Sequence, residues 1–214
     1  MFKHRRRRPP NLATKLTTCF AASAGFLLLS VAGYSTVTRA DSCEDRVVAI
    51  QKEFGLSVEN VAPGGGLAFC QAPVDLVSIG KDFFDRDQRL RLAAAGALRL
   101  MLNAAKDAGV QLYVLSAYRS VQDQVAIIQR KRDAGATDDD IITSVALPGY
   151  SEHHTGQAVD LHTDGVVPLS LKFAATPAFY WLTEHAGQFG FRLTYSQNNR
   201  TGIRFEPWHW YYDR

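Results

Sequence analysis

Acidic residues are missing from the first 40 positions. That segment holds seven of the 24 Lys and Arg residues and none of the 21 Asp and Glu. The remainder carries 17 basic groups against 21 acidic ones, a net charge of −4. The overall +3 therefore reports the leading segment, and no basic face remains to hold DNA or RNA. Charge of either sign is missing from residues 16–38. Cysteine is scarce, with three in 214 residues. After residue 40 there is no low-complexity tract and no internal repeat, which excludes solenoid and array architectures. Helical and strand patterns do not alternate as regular βαβ units, which argues against a parallel doubly wound sheet.

The leading segment has an export layout. Arg5 to Arg8 and Lys15 precede an apolar core around Phe20 to Ala32, and Thr38-Arg39-Ala40 offers small residues at a cleavage position. This is the pattern of a secretory signal peptide. The same run is long enough for an uncleaved membrane anchor. In both cases the basic block stays on the cytoplasmic side and the rest is exported, to a periplasmic or other extracytoplasmic location. Cys19 lies inside the apolar run rather than after it, which argues against lipidation. Cys43 and Cys70 are left, and an exported pair is expected to form a disulfide.

Along the remainder, Glu44 to Phe54 is a short helical candidate, and Pro63-Gly64-Gly65-Gly66 is a flexible break. Apolar residues from Leu90 to Ala104 recur near the 3.6 period and predict a helix over 85–108, stopped by Gly109. A strand is expected over 110–117, and helices over 121–134 and 137–145. Thr176-Pro177 starts another helix reaching Gln188. Phe191 to Tyr195 and Gly202 to Glu206 read as two strands joined by a polar loop, the second continuing through Trp208 to Tyr212. The fold class is α+β, with a small, mostly antiparallel sheet flanked by helices.

Two segments carry the chemistry: Ser151-Glu152-His153-His154-Thr155-Gly156-Gln157-Ala158-Val159-Asp160, and Glu206-Pro207-Trp208-His209. Zinc takes imidazole nitrogen and carboxylate oxygen, and a catalytic site keeps a fourth position open. His153, Asp160 and His209 are the natural three ligands. A strand starting at Gly156 would turn Gly156, Ala158 and Asp160 to one face. Glu206 and His209, three apart, would fall on opposite faces of a regular strand, but Pro207 favours an irregularity that brings both to one site. Glu206 is the candidate base for the metal-activated water. Arg119, after a predicted strand, is the candidate cation for a carbonyl that develops negative charge. Asp138 to Asp140 lack the alternating oxygen ligands and terminal Glu of a calcium loop. His4, His162 and His185 are assigned no site role. Tyr118, Trp208 and Trp210 are either core residues or an aromatic wall of a pocket, Tyr118 and Trp208 being the candidates for that wall.

The Ser-x-His-x-x-Gly-x-Ala-x-Asp run at 151–160, Glu-Pro-Trp-His at 206–209, and Ser116-Ala117-Tyr118-Arg119-Ser120 followed by Gln124 resemble the signatures of zinc D-Ala-D-Ala carboxypeptidases of the vancomycin-resistance type, the VanY-like peptidoglycan peptidases. The resemblance runs from about Leu76 to Tyr212. It implies the D,D-peptidase, hedgehog-like zinc fold, with Zn2+ on His153, Asp160 and His209. It also implies Glu206 as catalytic base, Arg119 on the substrate carbonyl, and Ser151 and Gln124 lining the substrate pocket. The implied substrates are peptidoglycan stem peptides or their precursors, which suits export. Together with the leader pattern, the expected organisation is a signal or anchor at 1–40, an N-terminal arm at 41–75 and a catalytic domain at 76–214. His154 stands where many relatives have Gln, and Ala117 where Gly is usual. An L,D-carboxypeptidase, a D,D-dipeptidase or a stem-peptide endopeptidase would use the same machinery. A two-His, one-carboxylate iron oxygenase has no need of Glu206. A non-catalytic wall-binding module would have lost a ligand or the base, and all four are present.

Overall fold

The computed structural model describes residues 43–53, 55 and 72–214. All of these lie in one unit of the chain, Arg39–Arg214. The leader or anchor at 1–40, the glycine-rich break at 63–66 and the Cys43–Cys70 pairing lie outside the described residues. Among the described residues no helix is long and apolar enough to cross a membrane.

The first described helix, α1 (Cys43–Glu53), is held to the body by one buried face. Val47 is buried, and Gln51 Nε2 donates to Pro148 O at 3.3 Å. Gly149, at φ +88°, lies so close that an added Cβ would meet Val47 at 2.6 Å. The arm thus supports the loop that enters the first motif.

A hairpin follows, β1 (Leu76–Lys81) against β2 (Asp87–Arg91), antiparallel. This corrects the helix predicted to begin near residue 85. Gln88 and Leu90 alternate inward with period 2, and Leu90 is fully buried. Asp82 closes the turn by accepting from the Phe84 and Arg86 N–H groups and from Gln88 Nε2. The helical pattern takes over only at α2 (Leu92–Asp107), whose Ala94, Leu98, Met101 and Ala105 form one buried stripe. Gly109, at φ +75°, ends the segment.

The main sheet contains β3 (Tyr113–Ser116), β4 (Ala158–His162), β5 (Phe191–Leu193) and β6 (His209–Tyr212), in the spatial order β3-β4-β6-β5 and antiparallel throughout. The α+β expectation with a small antiparallel sheet therefore holds. Every residue of β4 is buried, so this strand is covered on both faces. Val159, Leu161, Phe191 and Trp210 pack with the α2 stripe and with α5 (Pro177–His185) in the main core. Thr176 caps α5 through its side chain, with Pro177 in the first turn. A second cluster, Ile128, Ile141 and Leu147, joins α3 (Val121–Asp133) to α4 (Asp138–Ser144). Both helices begin on capping side chains, Ser120 and Thr137.

Several local expectations change: α5 stops at His185 rather than Gln188, and β5 at Leu193 rather than Tyr195. The strand after α2 is shorter, Tyr113–Ser116. Gly156 does not start β4; it sits at φ +68° and ends a 3-10 turn. Residues 202–206 are not a strand. Asn199 organises them instead, accepting from Thr201 N and donating to the Ser196 and Ile203 carbonyls, so side-chain bonds replace the ladder.

Candidate metal centre

Strand register assembles the centre. Ser116 on β3 faces Asp160 on β4, and Asp160 faces His209 on β6. His153 arrives from the 3-10 turn Glu152–Thr155, whose N-cap Ser151 Oγ accepts from His153 N at 3.4 Å. Ligand atoms of His153, Asp160 and His209 all lie within 4.8 Å of one another, and all three residues are buried. His153 Nε2 is 3.3 Å from Asp160 Oδ2, and His209 Nδ1 is 3.1 Å from Asp160 Oδ1. Ligands on a tetrahedral zinc at about 2.0 Å would stand roughly 3.3 Å apart. The donor set and its spacing therefore fit zinc.

The two imidazoles present opposite nitrogens. His153 Nδ1 lies 2.6 Å from Ala117 O and donates to it, which leaves Nε2 for the centre. His209 turns Nδ1 inward, and its Nε2 lies 2.9 Å from Glu152 Oε2. Each remaining ring nitrogen is thus fixed by an acceptor, as metal-binding histidines require.

Electrostatics follow from this crowding. Burial lowers the pKa of His153. Burial opposes ionising Asp160 too, but the charge and hydrogen bonds of the two histidines win and hold it well below the usual carboxylate range. Burial likewise opposes charging His209, yet its bonds to Asp160 and Glu152 raise it to about 9 in the metal-free protein. A divalent cation in place of the Nδ1 proton would meet Asp160, while Glu152 keeps its bond to the Nε2 proton.

Glu206 and Arg119 line the same cleft as the three candidate ligands, a space of ≈ 930 Å³. Residues 206–209 form a turn in which His209 N–H donates to Glu206 O at 3.1 Å, and Glu206 N–H donates to Tyr195 O at 3.0 Å. The turn removes the strand alternation that would have separated Glu206 from His209. Burial is the main cause raising Glu206, to about 7, with Asp160 adding to it against the pull of His209 and Arg119. Arg119 donates to Gln124 Oε1 at 2.8 Å and to Ser116 Oγ at 3.1 Å, and lies 3.7 Å from Asp160 Oδ2.

The other sequence-predicted residues divide. Ser151, Gln124, Tyr118 and Trp208 all line the cleft. Gln124 is almost fully buried, and its amide is used in holding Arg119 and Ala146 O. Tyr118 lies under the Arg89 guanidinium at 5.6 Å. Trp208 packs on the main core, and Trp210 is core, donating to Pro207 O. His162 is buried away from the centre, against Phe83 at 4.8 Å. Two residues were not anticipated: Glu152, on His209, and Tyr195, whose ring lies 4.5 Å from the His209 ring.

His154 does not face the three candidate ligands. Its Nδ1 lies 2.7 Å from Arg119 O, and its Nε2 accepts from Gly149 N–H at 3.1 Å. Burial pushes it down to about 4, so the ring is neutral near pH 7 and joins the loop before the motif to Arg119. A Gln amide offers the same donor and acceptor. His154→Gln is expected to unfold in urea near the wild-type midpoint. His154→Ala leaves the buried Gly149 N–H unpaired, at about 1–3 kcal/mol, and frees the half-buried Arg119 carbonyl, and a matching drop in unfolding free energy checks this.

Residues 87–213 match the family model described as VanY: D-alanyl-D-alanine carboxypeptidase. The chain belongs to the VanY family. Among curated relatives, the Bacillus subtilis protein named as putative carboxypeptidase YodJ is 34% identical over 148 residues, 64% of this chain and 52% of YodJ. The D-alanyl-D-alanine carboxypeptidase of Enterococcus faecalis is 32% identical over 135 residues, 58% of this chain and 48% of that protein. The chain spans about half the length of the curated relatives it matches. Among solved structures, the LdcB LD-carboxypeptidase aligns with a TM-score of 0.61 at 31% identity, covering 71% of this chain and 74% of that one. A mutant of the vancomycin-resistance D,D-pentapeptidase VanY, in complex with Zn(II), aligns with a TM-score of 0.53 at 29% identity, covering 72% and 83%. The zinc D,D-peptidase fold expected from the motifs is thus the fold found.

Proposed function

We propose that this protein is a zinc-dependent D-alanyl-D-alanine carboxypeptidase that removes the C-terminal D-alanine of peptidoglycan stem peptides outside the cytoplasm. The observation that carries this reading is the grouping of His153, Asp160 and His209 within 4.8 Å in a cleft that also holds Glu206 and Arg119. VanY family membership supports the bond type. Zinc held by the three residues would supply a Lewis acid for the scissile carbonyl and acidify the attacking water.

Glu206 does the proton work. Its carboxylate takes a proton from the water as the oxygen joins the carbonyl carbon. It returns that proton to the amide nitrogen as the C–N bond breaks, so the leaving D-alanine departs with a neutral amine. Its burial-raised pKa suits both halves of that cycle. Arg119, fixed by Ser116 and Gln124, sets a cation beside the oxygen that gains charge, without reorganising during the reaction. Ser151, Tyr118 and Trp208 line the same cleft and would offer polar and aromatic surface to the peptide.

The likeness to LdcB supports a second reading, an L,D-carboxypeptidase acting on stem tetrapeptides. Full-length protein, assayed for bound zinc and for D-alanine release from a pentapeptide and a tetrapeptide, separates the two. Chelator-sensitive release from the pentapeptide is expected. Release from the tetrapeptide alone transfers the assignment to the second reading, and zinc-free protein that hydrolyses either peptide overturns both.

A further inference from the structure

We infer that Glu152 is a positioning residue of the metal centre, its carboxylate holding His209 in the one ring orientation that presents Nδ1 beside Asp160. The inference rests on the proposed reading of His209 as a ligand. Glu152 Oε2 lies 2.9 Å from His209 Nε2, while Nδ1 of the same ring lies 3.1 Å from Asp160 Oδ1. The ring is held from its sides as well, by Tyr195 at 4.5 Å and His153 at 4.9 Å. Rotating it by half a turn about its bond to Cβ would move Nδ1 off the Asp160 side and lose the Glu152 bond.

Glu152 is itself held. Its side chain is 17% exposed, and Oε1 lies 3.9 Å from Arg192 Nη2. Arg192 in turn bonds Asp213 at 2.8 Å and lies over the Tyr211 ring at 5.0 Å. The chain His209–Glu152–Arg192–Asp213 therefore ties the centre to the β5–β6 edge. The two imidazoles differ in what fixes them. His153 donates to a neutral carbonyl, Ala117 O. His209 meets a carboxylate, which both accepts a proton bond and makes the ring a better donor to a cation. With a cation at Nδ1, a carboxylate on the far nitrogen keeps the remaining proton at Nε2.

The test compares Glu152→Ala and Glu152→Gln with wild type by zinc competition against a chromogenic chelator, with the visible spectrum of the Co(II)-loaded proteins as a second readout. Loss of the partner is expected to weaken zinc by about 10–100-fold in Glu152→Ala and to shift the Co(II) bands. Glu152→Gln keeps an acceptor without the charge and is expected between the two, and the Co(II) band shift in a variant that folds and melts like wild type is the readout that a purely structural role would not move. If Glu152→Ala does not fold by circular dichroism, Glu152→Gln carries the test alone. A folded variant with wild-type zinc affinity and an unchanged Co(II) spectrum overturns the assignment of Glu152 and leaves the proposed function standing. A wild-type protein that binds neither metal overturns the ligand reading of His209, and this inference with it.

Discussion

Replacing Glu206 with Gln is expected to abolish D-alanine release while zinc stays bound. General acid–base work of this kind is worth about 10²–10⁴ in rate, and Gln can neither take the water's proton nor return one to the amide. Glu206 is not among the clustered ligand atoms, so metal content should not change. Retained hydrolysis in the variant would remove Glu206 from the base role. The pH dependence gives an independent check. Only the ionised carboxylate accepts a proton, so kcat/KM should fall as pH drops through the Glu206 pKa. That pKa is raised to about 7 without metal, and a bound dication would draw it lower. The chelated protein offers the opposite slope. Between the usual carboxyl value of 4.5 and about 7, the folded chain keeps a proton on Glu206 that the unfolded chain has released. Folding stability in that window is therefore lost as pH rises. Buried His153 and His154, whose pKa values are lowered, give the opposite slope in wild type and Glu206→Gln alike, so the loss should appear in the difference between the melting curves of the two chelated proteins.

The sequence carried the centre better than it carried the fold around it. His153 and Asp160 lie in one short run, and His209 ends a four-residue run with Glu206, so residue type and spacing alone suggest a ligand set and a base. What brings the runs together is strand register, Asp160 opposite His209 and Ser116 opposite Asp160, and register is invisible without the partner strands. The β1–β2 hairpin was hidden because Leu90 serves a period of 2 while Leu92 and Ala94 begin a period of 3.6 only two positions later. Gly156 was misplaced for a related reason: its positive φ ends a turn, whereas its place in the motif suggested a strand start. Glu152 and Tyr195 left no signal of their own. A charged residue beside a histidine reads as a solvated neighbour, and its bond to His209 spans 57 positions. Gln124 shows the converse. Its place in a motif pointed to the pocket, while its amide is used in holding the guanidinium of Arg119.

His153→Ala is expected to lose zinc and hydrolysis together, in contrast to Glu206→Gln. Three protein ligands are the usual minimum for a catalytic zinc, and two would leave the ion open to exchange during desalting. Release of D-alanine should fall to the level of chelated wild type, and added zinc at micromolar concentration should not restore it. The variant should still fold. His153 lies on a 3-10 turn rather than a sheet strand, and the core of Leu98, Met101, Val159, Leu161 and Trp210 does not include it. The stability cost comes from the Ala117 carbonyl, which loses its 2.6 Å partner, and is about 1–3 kcal/mol. His162→Ala is the matched control, because that ring is equally buried but packs on Phe83 and Tyr113. Metal analysis of the two variants should find zinc in His162→Ala and none in His153→Ala. Stoichiometric zinc in His153→Ala would remove His153 from the ligand set, whatever its activity.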